Sequence, residues 1–423
     1  MAFGLWYYFD LTRGLPSINS LPVSLDPPDG EWLQPSRFYD RTHEHVILTL
    51  EKPGATDRQY LYVEKEGQQK KDMFSPHLVD ATLASLDPGY WSEPVFAWRG
   101  ITVNNTPTLA QRLVQELLLN NESVSKRRNY QEWLLAGQIT ALYGREKILE
   151  WYLNSAKYGD YVVGADAAAR VYLGKPATQL SIAEAALLTA IGGSPGYDPW
   201  SSGRWMRDRQ VEIIQGMLRL GWINQDEAQA ALKENIQIQP EQPIRSLAPS
   251  FTNLVLLELS SRQLLERISR GGFEVITTID YDLQVQATCA VQTQIDRLGV
   301  DINQPARDIG LPCDSAQSLS VVQVDKDNPI AGLNTEVIVL DPQSGEILAY
   351  VGGDQGDPKA ALPAEHQAGS ILSPFLYLAA FTEGMSPASL LWDLPETGEN
   401  HHDAELLASY HGPVRLRIAL LND

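Results

Sequence analysis

The chain has 423 residues, a length that predicts two or three domains rather than one. Its 43% hydrophobic and 20% charged residues are typical of a globular protein and exclude a disordered one. The formal net charge of −20 argues against a general nucleic-acid binder, because such proteins usually carry a basic face. Two cysteines, Cys289 and Cys313, form no disulfide framework and show no metal-ligand spacing, but they leave open a single bridge.

The first nine residues form an apolar, aromatic run, about half as long as a membrane-spanning helix requires. The run has no basic start and no small-residue cleavage site, so it is not predicted to be a signal peptide. Three interpretations stay open: the outer end of a membrane anchor whose start is missing, an aromatic segment at the membrane interface, or a core strand or helix. Residues 1–35 are therefore predicted to be an apolar segment followed by a linker rich in Pro, Ser, Asp and Gly.

Strand-like and helical patterns follow in turn. Residues 36–72 contain a β-branched, apolar stretch and are predicted to form a small β-rich segment. In the next part of the chain, apolar residues recur at helical spacing over several stretches with short connections. Ser181 and Glu184 have the spacing of a capping box, which predicts the start of a helix. The pattern thus indicates an α-rich domain over residues 73–240.

Helices and strands are mixed beyond this domain. Residues 248–272 and 281–298 are predicted to be helices, and residues 273–279 are predicted to be a strand between them. We expect residues 241–330 to form a linker or pedestal region.

The last part of the chain is predicted to begin with a hairpin. Two apolar stretches, 336–341 and 346–351, flank the turn sequence Pro-Gln-Ser-Gly. A helix is expected over residues 373–383. These elements predict a further domain over residues 331–423.

The helical region also contains an ordered set of short motifs. Residues 150–154 read Glu-Trp-Tyr-Leu-Asn, and residues 164–169 read Gly-Ala-Asp-Ala-Ala-Ala. Residues 107–113 are similar to a Ser-Thr-Ile-Thr-Gln-Gln-Leu motif, and residues 128–132 to an Arg-Lys-x-x-Glu motif. Together these motifs resemble glycosyltransferase family 51, the lysozyme-like polymerases of lipid II, as found in class A (bifunctional) penicillin-binding proteins. The resemblance implies a multidomain protein: a mainly α lysozyme-like domain, then an α+β linker and a partial transpeptidase domain.

The reaction that the resemblance implies is attack of a sugar hydroxyl on a sugar carbon that carries a lipid diphosphate. The hydroxyl needs a base within hydrogen-bond reach, and the leaving diphosphate needs positive charge or a metal ion. The Arg-Lys-x-x-Glu motif implies that Glu132 lies near the donor diphosphate. The family's first motif glutamate aligns with Leu86, so the adjacent Asp87 is the candidate there, with Glu93 as another nearby carboxylate. The predicted catalytic residues are Glu132 and Asp87, and the predicted substrate-binding residues are Thr108, Gln111, Arg112, Arg127, Arg128 and Asn154.

Each of these assignments has a structural alternative that the sequence leaves open. Thr108 and Gln111 also fit ordinary helix capping and a polar helix face. Without its motif, Glu132 fits the exposed face of an amphipathic helix, and the basic run 126–128 fits a solvated helix start. Asn154 fits an architectural role at a helix end.

Residues 367–375 resemble the nucleophile segment of the transpeptidase domain of penicillin-binding proteins. In that family the serine is activated by a lysine one helical turn later. This chain has Ser370 at the first position but Ser373 at the second, and serine is no base at neutral pH. The chain also reaches Asp423 before the later Ser-x-Asn and Lys-Thr-Gly motifs of the family. We therefore expect a truncated, degenerate transpeptidase part in which Ser370 is a vestigial nucleophile that does not react with penicillin.

The resemblance implies a peptidoglycan glycosyltransferase at the extracytoplasmic face of the cell membrane, which polymerises lipid II and releases undecaprenyl pyrophosphate. The expected partners are lipid II, the nascent glycan strand, the membrane and other cell-wall synthesis proteins, with no nucleic acid. No metal site is predicted from the sequence, although a divalent cation, magnesium or manganese, would suit the diphosphate.

Two other functions are considered. The substitutions at Leu86, Asn129 and Ser373 support a catalytically inactive homologue that binds glycan or serves as a scaffold in cell-wall synthesis. A soluble lysozyme-like hydrolase fits less well, because nothing in the sequence favours water over a sugar acceptor.

Overall fold

The structure is a computed structural model. It describes residues 12–13, 15–28, 30–63, 72–96, 107–119, 125–194, 198–299, 313–319, 335–352, 372–394 and 410–421. The chain divides into two compact units, Met1–Leu362 and Pro363–Asp423. The described residues are mainly helical. The five-part division expected from the sequence stays a prediction.

The first unit contains the long helical region that the sequence indicates. Its helices up to residue 233 are α1 (Leu21–Leu25), α2 (Pro76–Leu86), α3 (Leu109–Leu117), α4 (Lys126–Tyr143), α5 (Arg145–Ser155), α6 (Ala165–Leu173), α7 (Ile182–Gly192), α8 (Gly203–Arg219) and α9 (Gln225–Lys233).

Local capping decides where several of these helices begin. The capping box predicted at α7 is confirmed, since the Ser181 hydroxyl accepts from the Glu184 amide and the Glu184 carboxylate accepts from the Ser181 amide. Helix α4 begins at Lys126, within the basic run that also fits a solvated helix start. The start is fixed by Ser125, whose Oγ accepts from the backbone N–H of Arg128 at 3.1 Å and so caps the helix.

The core of the helical part packs large side chains against small ones. Trp151 and Tyr172 are fully buried, as are the alanines of α6, whose small side chains let neighbouring helices approach closely. Helix α7 is apolar on nearly all sides and is buried from Ala185 to Ile191, which is typical of a central helix. It packs against α2, where Thr82 and Thr189 have their hydroxyl oxygens 3.4 Å apart.

A three-stranded sheet joins distant parts of the first unit. Its strands are β1 (Arg37–Tyr39), β2 (Val46–Thr49) and β3 (Glu274–Ile276), in the order β2-β1-β3. Strand β1 is antiparallel to β2 and parallel to β3. The strand predicted over residues 273–279 is thus confirmed in shorter form. Strands β1 and β2 come before most of the helical region in sequence, and β3, which completes their sheet, comes after it.

The elements after α9 follow the sequence pattern with one correction. They are α10 (Pro249–Ser261), α11 (Leu265–Ile268), β3, α12 (Tyr281–Gly299) and the strands β4 (Val337–Leu340) and β5 (Ile347–Val351). The single helix predicted over residues 248–272 is wrong, because Gln263 has a positive φ of 59° that ends α10. The predicted hairpin is confirmed by the antiparallel pairing of β4 and β5. A disulfide joins Cys289 of α12 to Cys313, so the bridge that the sequence left open is formed.

The second unit contains α13 (Ser373–Thr382), β6 (Leu390–Asp393), β7 (Gly412–Arg415) and α14 (Leu416–Leu421) among its described residues. Helix α13 confirms the helix predicted over residues 373–383. Strands β6 and β7 pair antiparallel. The predicted nucleophile Ser370 and the apolar run at the N-terminus lie outside the described residues. Among the described helices, none combines the length and apolar character needed to cross a bilayer.

Candidate active site

The carboxylate of Glu132 lies between helices α3 and α4. The residue is only 4% exposed. Its Oε1 accepts from the Nε–H of Arg128 at 2.7 Å, and its Oε2 accepts from Nε2 of Gln115 on α3 at 2.7 Å. Burial of a carboxylate requires such partners, because an unpaired buried charge is strongly unfavourable. The alternative in which Glu132 is a surface residue is therefore wrong.

The predicted basic run has two different environments. Lys126 and Arg127 are exposed in the first turn of α4, where their charge adds to the positive end of the helix dipole. Arg128 is more buried, with a side chain 13% exposed, and forms an ion pair with Glu132 one helical turn later. Arg128 therefore positions the carboxylate, whereas Lys126 and Arg127 present positive charge at the surface.

Thr108 and Gln111 form the capping box that starts α3. The Thr108 hydroxyl accepts from the backbone N–H of Gln111 at 3.2 Å, and the Gln111 side chain accepts from the backbone N–H of Thr108 at 2.9 Å. The capping alternative is thus confirmed for both residues. Their contact with substrate stays a prediction.

Asp87 follows directly after α2 and is 2% exposed. Its Oδ2 accepts from the backbone N–H of Leu109, the first residue of α3, at 3.0 Å. A carboxylate is favourable at this position because it satisfies a free helix N–H and faces the positive end of the dipole. Leu86, at the aligned position of the motif glutamate, is buried in the core.

Both predicted catalytic carboxylates therefore contact α3, but at different places. Asp87 accepts a hydrogen bond from Leu109, and Glu132 accepts one from Gln115. These two residues of α3 are about 9 Å apart along the helix axis, because each residue of a helix adds ~1.5 Å. Helix α3 is consequently the element that links the two carboxylates.

The capping role of Asp87 can be separated from a catalytic one by two substitutions. Asp87→Ala removes the acceptor for the Leu109 amide and is expected to lower the free energy of unfolding by about 1 kcal/mol. Asp87→Asn keeps an acceptor oxygen and should lower it by less. Urea denaturation of the three proteins measures the difference. Equal stability of Asp87→Ala and the unsubstituted chain would contradict the capping role, and native stability without activity in Asp87→Asn would indicate catalysis.

Arg112 belongs to a charged cluster with Glu116, Lys157 and Arg270. Its Nε is buried and has no hydrogen-bond partner among the described residues. Burial raises the pKa of the Glu116 carboxyl, while the cations of Arg270, Arg112 and Lys157 act in the opposite direction. Lys157 also donates from Nζ to the Ser269 hydroxyl at 3.2 Å. Arg112 thus has a carboxylate of its own helix nearby, and its predicted contact with substrate stays a prediction.

Asn154, at the end of α5, has its side-chain amide bound to the backbone. Its Nδ2 donates to the carbonyl oxygens of Leu61 and Glu150, both at 2.8 Å, and its Oδ1 accepts from the Leu61 amide at 3.2 Å. These bonds attach the stretch around Leu61 to α5, as the architectural alternative proposes. A substrate contact of Asn154 stays a prediction.

Sequence reasoning missed Gln115 and Glu116, which lie two and three residues after the end of the motif at 107–113. A signal for them was present, because Gln115 lies four residues after Gln111 and Glu116 four residues after Arg112. Residues four apart share one face of a helix. Extending the motif by one helical turn would have placed both residues beside those already predicted.

The described residues do not fit a divalent cation held by the protein alone. Among them, no three side chains of His, Cys, Asp or Glu lie together in a group that could hold a metal ion. The two oxygens of Glu132 already accept hydrogen bonds from Arg128 and Gln115.

Most of the helical part is similar to a known protein family. Residues 58–218 match the family model described as Transglycosylase. The chain resembles the class A penicillin-binding proteins. The transglycosylase domain over residues 58–218 contains α2 to α7 and most of α8, and thus both Asp87 and Glu132.

Two relatives illustrate the extent of the similarity. Penicillin-binding protein 2D of Bacillus subtilis is 29% identical over 341 residues, which cover 76% of this chain and 44% of that protein. Penicillin-binding protein 1A of Aquifex aeolicus is 26% identical over 433 residues, covering 85% of this chain and 59% of that protein. The chain spans about half the length of the curated relatives it matches.

A solved structure is also similar to this chain. Penicillin-binding protein 1A from Haemophilus influenzae is 20% identical and covers 92% of this chain and 59% of that one, with a TM-score of 0.36. A TM-score this low does not support a comparison of the two architectures.

Proposed function

We propose that this chain is a peptidoglycan glycosyltransferase that extends glycan strands from lipid II and releases undecaprenyl pyrophosphate. The match of residues 58–218 to the Transglycosylase family supports the reaction class. The observation that carries the proposal is the buried carboxylate of Glu132, held between Arg128 and Gln115 next to the basic first turn of α4.

In this proposal Glu132 accepts the proton of the attacking sugar hydroxyl. The hydroxyl oxygen bonds to the anomeric carbon of the donor, and the bond from that carbon to the diphosphate oxygen breaks, leaving its electron pair on the diphosphate. Gln115 is a neutral donor, so a sugar hydroxyl can replace it at Oε2 by exchanging one hydrogen bond for another. The charge-assisted bond from Arg128 is stronger and keeps the carboxylate oriented during this exchange.

The leaving diphosphate is stabilised by positive charge at the start of α4. Lys126 and Arg127 are exposed there, and the N-terminal end of the helix dipole adds a partial positive charge. If a divalent cation takes part, we propose that the diphosphate binds it, because the described side chains do not supply three ligands for a metal ion.

A second candidate is a component of cell-wall synthesis that binds lipid II or glycan without turnover. The specific observations in its favour are Leu86, which occupies the motif-glutamate position within the core, and Asp87, whose carboxylate caps α3. Glu132 is then a structural ion pair that positions the two helices.

Two measurements on the same protein separate these candidates. Fluorescently labelled lipid II is incubated with the chain and the products are resolved on a gel, and binding of lipid II in vesicles is measured in parallel. Polymer formation supports the glycosyltransferase. Binding without polymer supports the second candidate, and the absence of both contradicts the two proposals together.

We infer that the chain acts at the extracytoplasmic face of the cell membrane, where lipid II and the nascent strand are its expected partners together with other cell-wall synthesis proteins. The disulfide between Cys289 and Cys313 supports this location, because disulfides persist in oxidising compartments and are rare in the cytosol.

We further propose that the helical part is lysozyme-like and is followed by an α+β linker and a partial transpeptidase domain that is inactive. Helix α13 begins at Ser373, where an active transpeptidase requires a lysine as the base. The purified chain is therefore expected to form no covalent adduct with labelled penicillin, as read by fluorescence after denaturing electrophoresis. An adduct that disappears in Ser370→Ala would contradict this expectation, and Ser386→Ala in the same unit is the matched control.

A further inference from the structure

A cavity of about 510 Å³ lies in the first unit, away from the contact between α3 and α4. Its walls come from Pro27 and Pro28, from residues 33–35, from parts of the stretch 49–60, and from the start of α6. This volume falls within the range of about 300–1,000 Å³ that is usual for small-molecule sites. Asn154 also borders the cavity, but its side-chain amide is bound to the backbone.

Arg37 provides a positive charge in this cavity. Side chains alternate between the two faces of strand β1, so Phe38 is fully buried in the core while Arg37 lines the cavity on the other face. Among the described residues, the Arg37 guanidinium makes no hydrogen bond and no salt bridge. A guanidinium with five donors in a semi-enclosed space favours an anionic partner.

Arg58, the second arginine of the lining, already has partners. Its Nη1 donates to the carbonyl oxygen of Val163 at 3.0 Å, and its Nη2 donates to that of Leu33. Its Nε lies 3.6 Å from Oε1 of Glu51, whose side chain is only 8% exposed. The carboxylate of Glu51 therefore faces two cations, since Arg58 and Arg37 both oppose the rise in its pKa that burial causes.

The remaining acid of the lining, Asp166, is also satisfied. Its Oδ1 accepts from the backbone N–H of Ala177 at 2.8 Å. Its Oδ2 accepts from the backbone N–H of Gln59 and from Nε of Arg170, both at 2.8 Å. Asp166 thus has Arg170 as its cation, and the single negative charge of Glu51 serves both Arg58 and Arg37. The lining therefore keeps one excess positive charge, which lies at Arg37 because Arg58 forms the ion pair, and a ligand can neutralise it.

The neutral part of the lining is polar. Gln34, Thr49 and Thr56 supply side-chain donors and acceptors, beside the apolar rings of Pro27 and Pro28. Such a lining does not favour a purely apolar ligand, because its polar groups would lose their hydrogen bonds to water without replacement. It suits a ligand that combines hydroxyl or amide groups with an apolar surface.

We propose that this cavity binds a small polar molecule carrying one carboxylate, about as large as an amino sugar or a dipeptide, with the carboxylate paired to Arg37. Two N–H groups of a guanidinium match the two oxygens of a carboxylate, which fixes the orientation of the ligand. The hydrogen-bonding body of the ligand lies against the glutamine and threonine side chains. The site does not depend on the polymerase proposal.

Calorimetric titration of the full chain with two pairs of probes tests this site. N-acetylmuramic acid is compared with N-acetylglucosamine, which lacks the carboxylate, and alanyl-alanine is compared with its C-terminal amide. At least one carboxylate probe is expected to bind, and its neutral counterpart to bind at least tenfold more weakly. The pair that responds identifies the ligand as sugar-like or peptide-like.

Two substitutions and a control connect the binding to Arg37. Arg37→Gln is expected to weaken binding of the carboxylate probe at least tenfold. Arg41 lies four residues later and outside the lining, so Arg41→Gln should leave the affinity for the probe unchanged. Thr56→Trp at the exposed rim narrows the cavity while Arg37 stays unchanged, and it should also weaken binding of the probe. This variant tests the site if Arg37→Gln does not fold. The proposal is overturned if neither carboxylate probe binds at millimolar concentration or if the neutral probes bind equally well. It is also overturned if Arg37→Gln and Thr56→Trp fold and keep full affinity.

Discussion

Glu132→Gln is expected to reduce the rate of lipid II polymerisation by about a hundredfold or more. Glutamine cannot take the proton of the attacking hydroxyl, and a positioned general base typically contributes about 10²–10⁴-fold. The substitution keeps the size of the side chain and leaves an oxygen that can accept from Arg128. The initial rate of polymer formation with labelled lipid II measures the effect.

Two further variants distinguish a base from a structural ion pair. Gln115→Ala removes the hydrogen bond to Oε2 but leaves the carboxylate, so it should lower the rate by less than about tenfold. Glu258→Gln, an exposed glutamate on α10 outside the transglycosylase domain, should not change the rate. A rate of Glu132→Gln close to that of the unsubstituted chain would contradict the role of Glu132 as base. A loss in Gln115→Ala as large as that in Glu132→Gln would indicate that Glu132 only positions the helices.

Replacing both cysteines, as Cys289→Ala with Cys313→Ala, is expected to lower the free energy of unfolding of the surrounding region by about 3 kcal/mol. The bridge closes a loop with a sequence separation of 24. Such a bridge stabilises the folded state mainly because it restricts the conformations of the unfolded chain. Cys289 is fully buried on α12, so the effect should appear in the part formed by α12 and the β4–β5 hairpin. Urea unfolding followed by hydrogen exchange measures it region by region.

A reducing agent supplies the matched control for the disulfide. It should destabilise the unsubstituted chain by a similar amount and have no effect on the double variant. Two titratable thiols in protein purified without reductant would contradict the bridge. That result would also remove the support that the bridge gives to an extracytoplasmic location.

Local sequence signals predicted the helices well, because their causes lie within a few residues. The capping box of Ser181 and Glu184 and the turn between β4 and β5 depend only on neighbours, and both are confirmed. The end of α10 within the single helix predicted over residues 248–272 was missed because its cause is not visible in the sequence pattern. A positive φ at Gln263 is unusual for a residue with a side chain, so no sequence pattern indicates it.

The roles of the candidate site residues were harder to predict, because they depend on how distant segments meet. The sequence placed Glu132 on a helix but left its burial open, since burial requires Gln115 of α3 to lie opposite. Asp87 resembled a replacement base, and only the approach of Leu109 to its carboxylate shows the capping contact. Arg112 lies near Glu116 on its own helix, but Lys157 and Arg270 join it from distant parts of the chain.

The sequence by itself carried the resemblance to a transglycosylase domain, through its ordered motifs, and predicted most of the helices, through apolar spacing and caps. These features depend on side-chain identity and short-range geometry, which the chain carries at every position. The tertiary structure decided which side chains are partners: the parallel pairing of β1 with β3, the two donors on Glu132 and the cavity beside Arg37. Such partners come from segments far apart in the chain, and the free energy of packing the whole core brings them together.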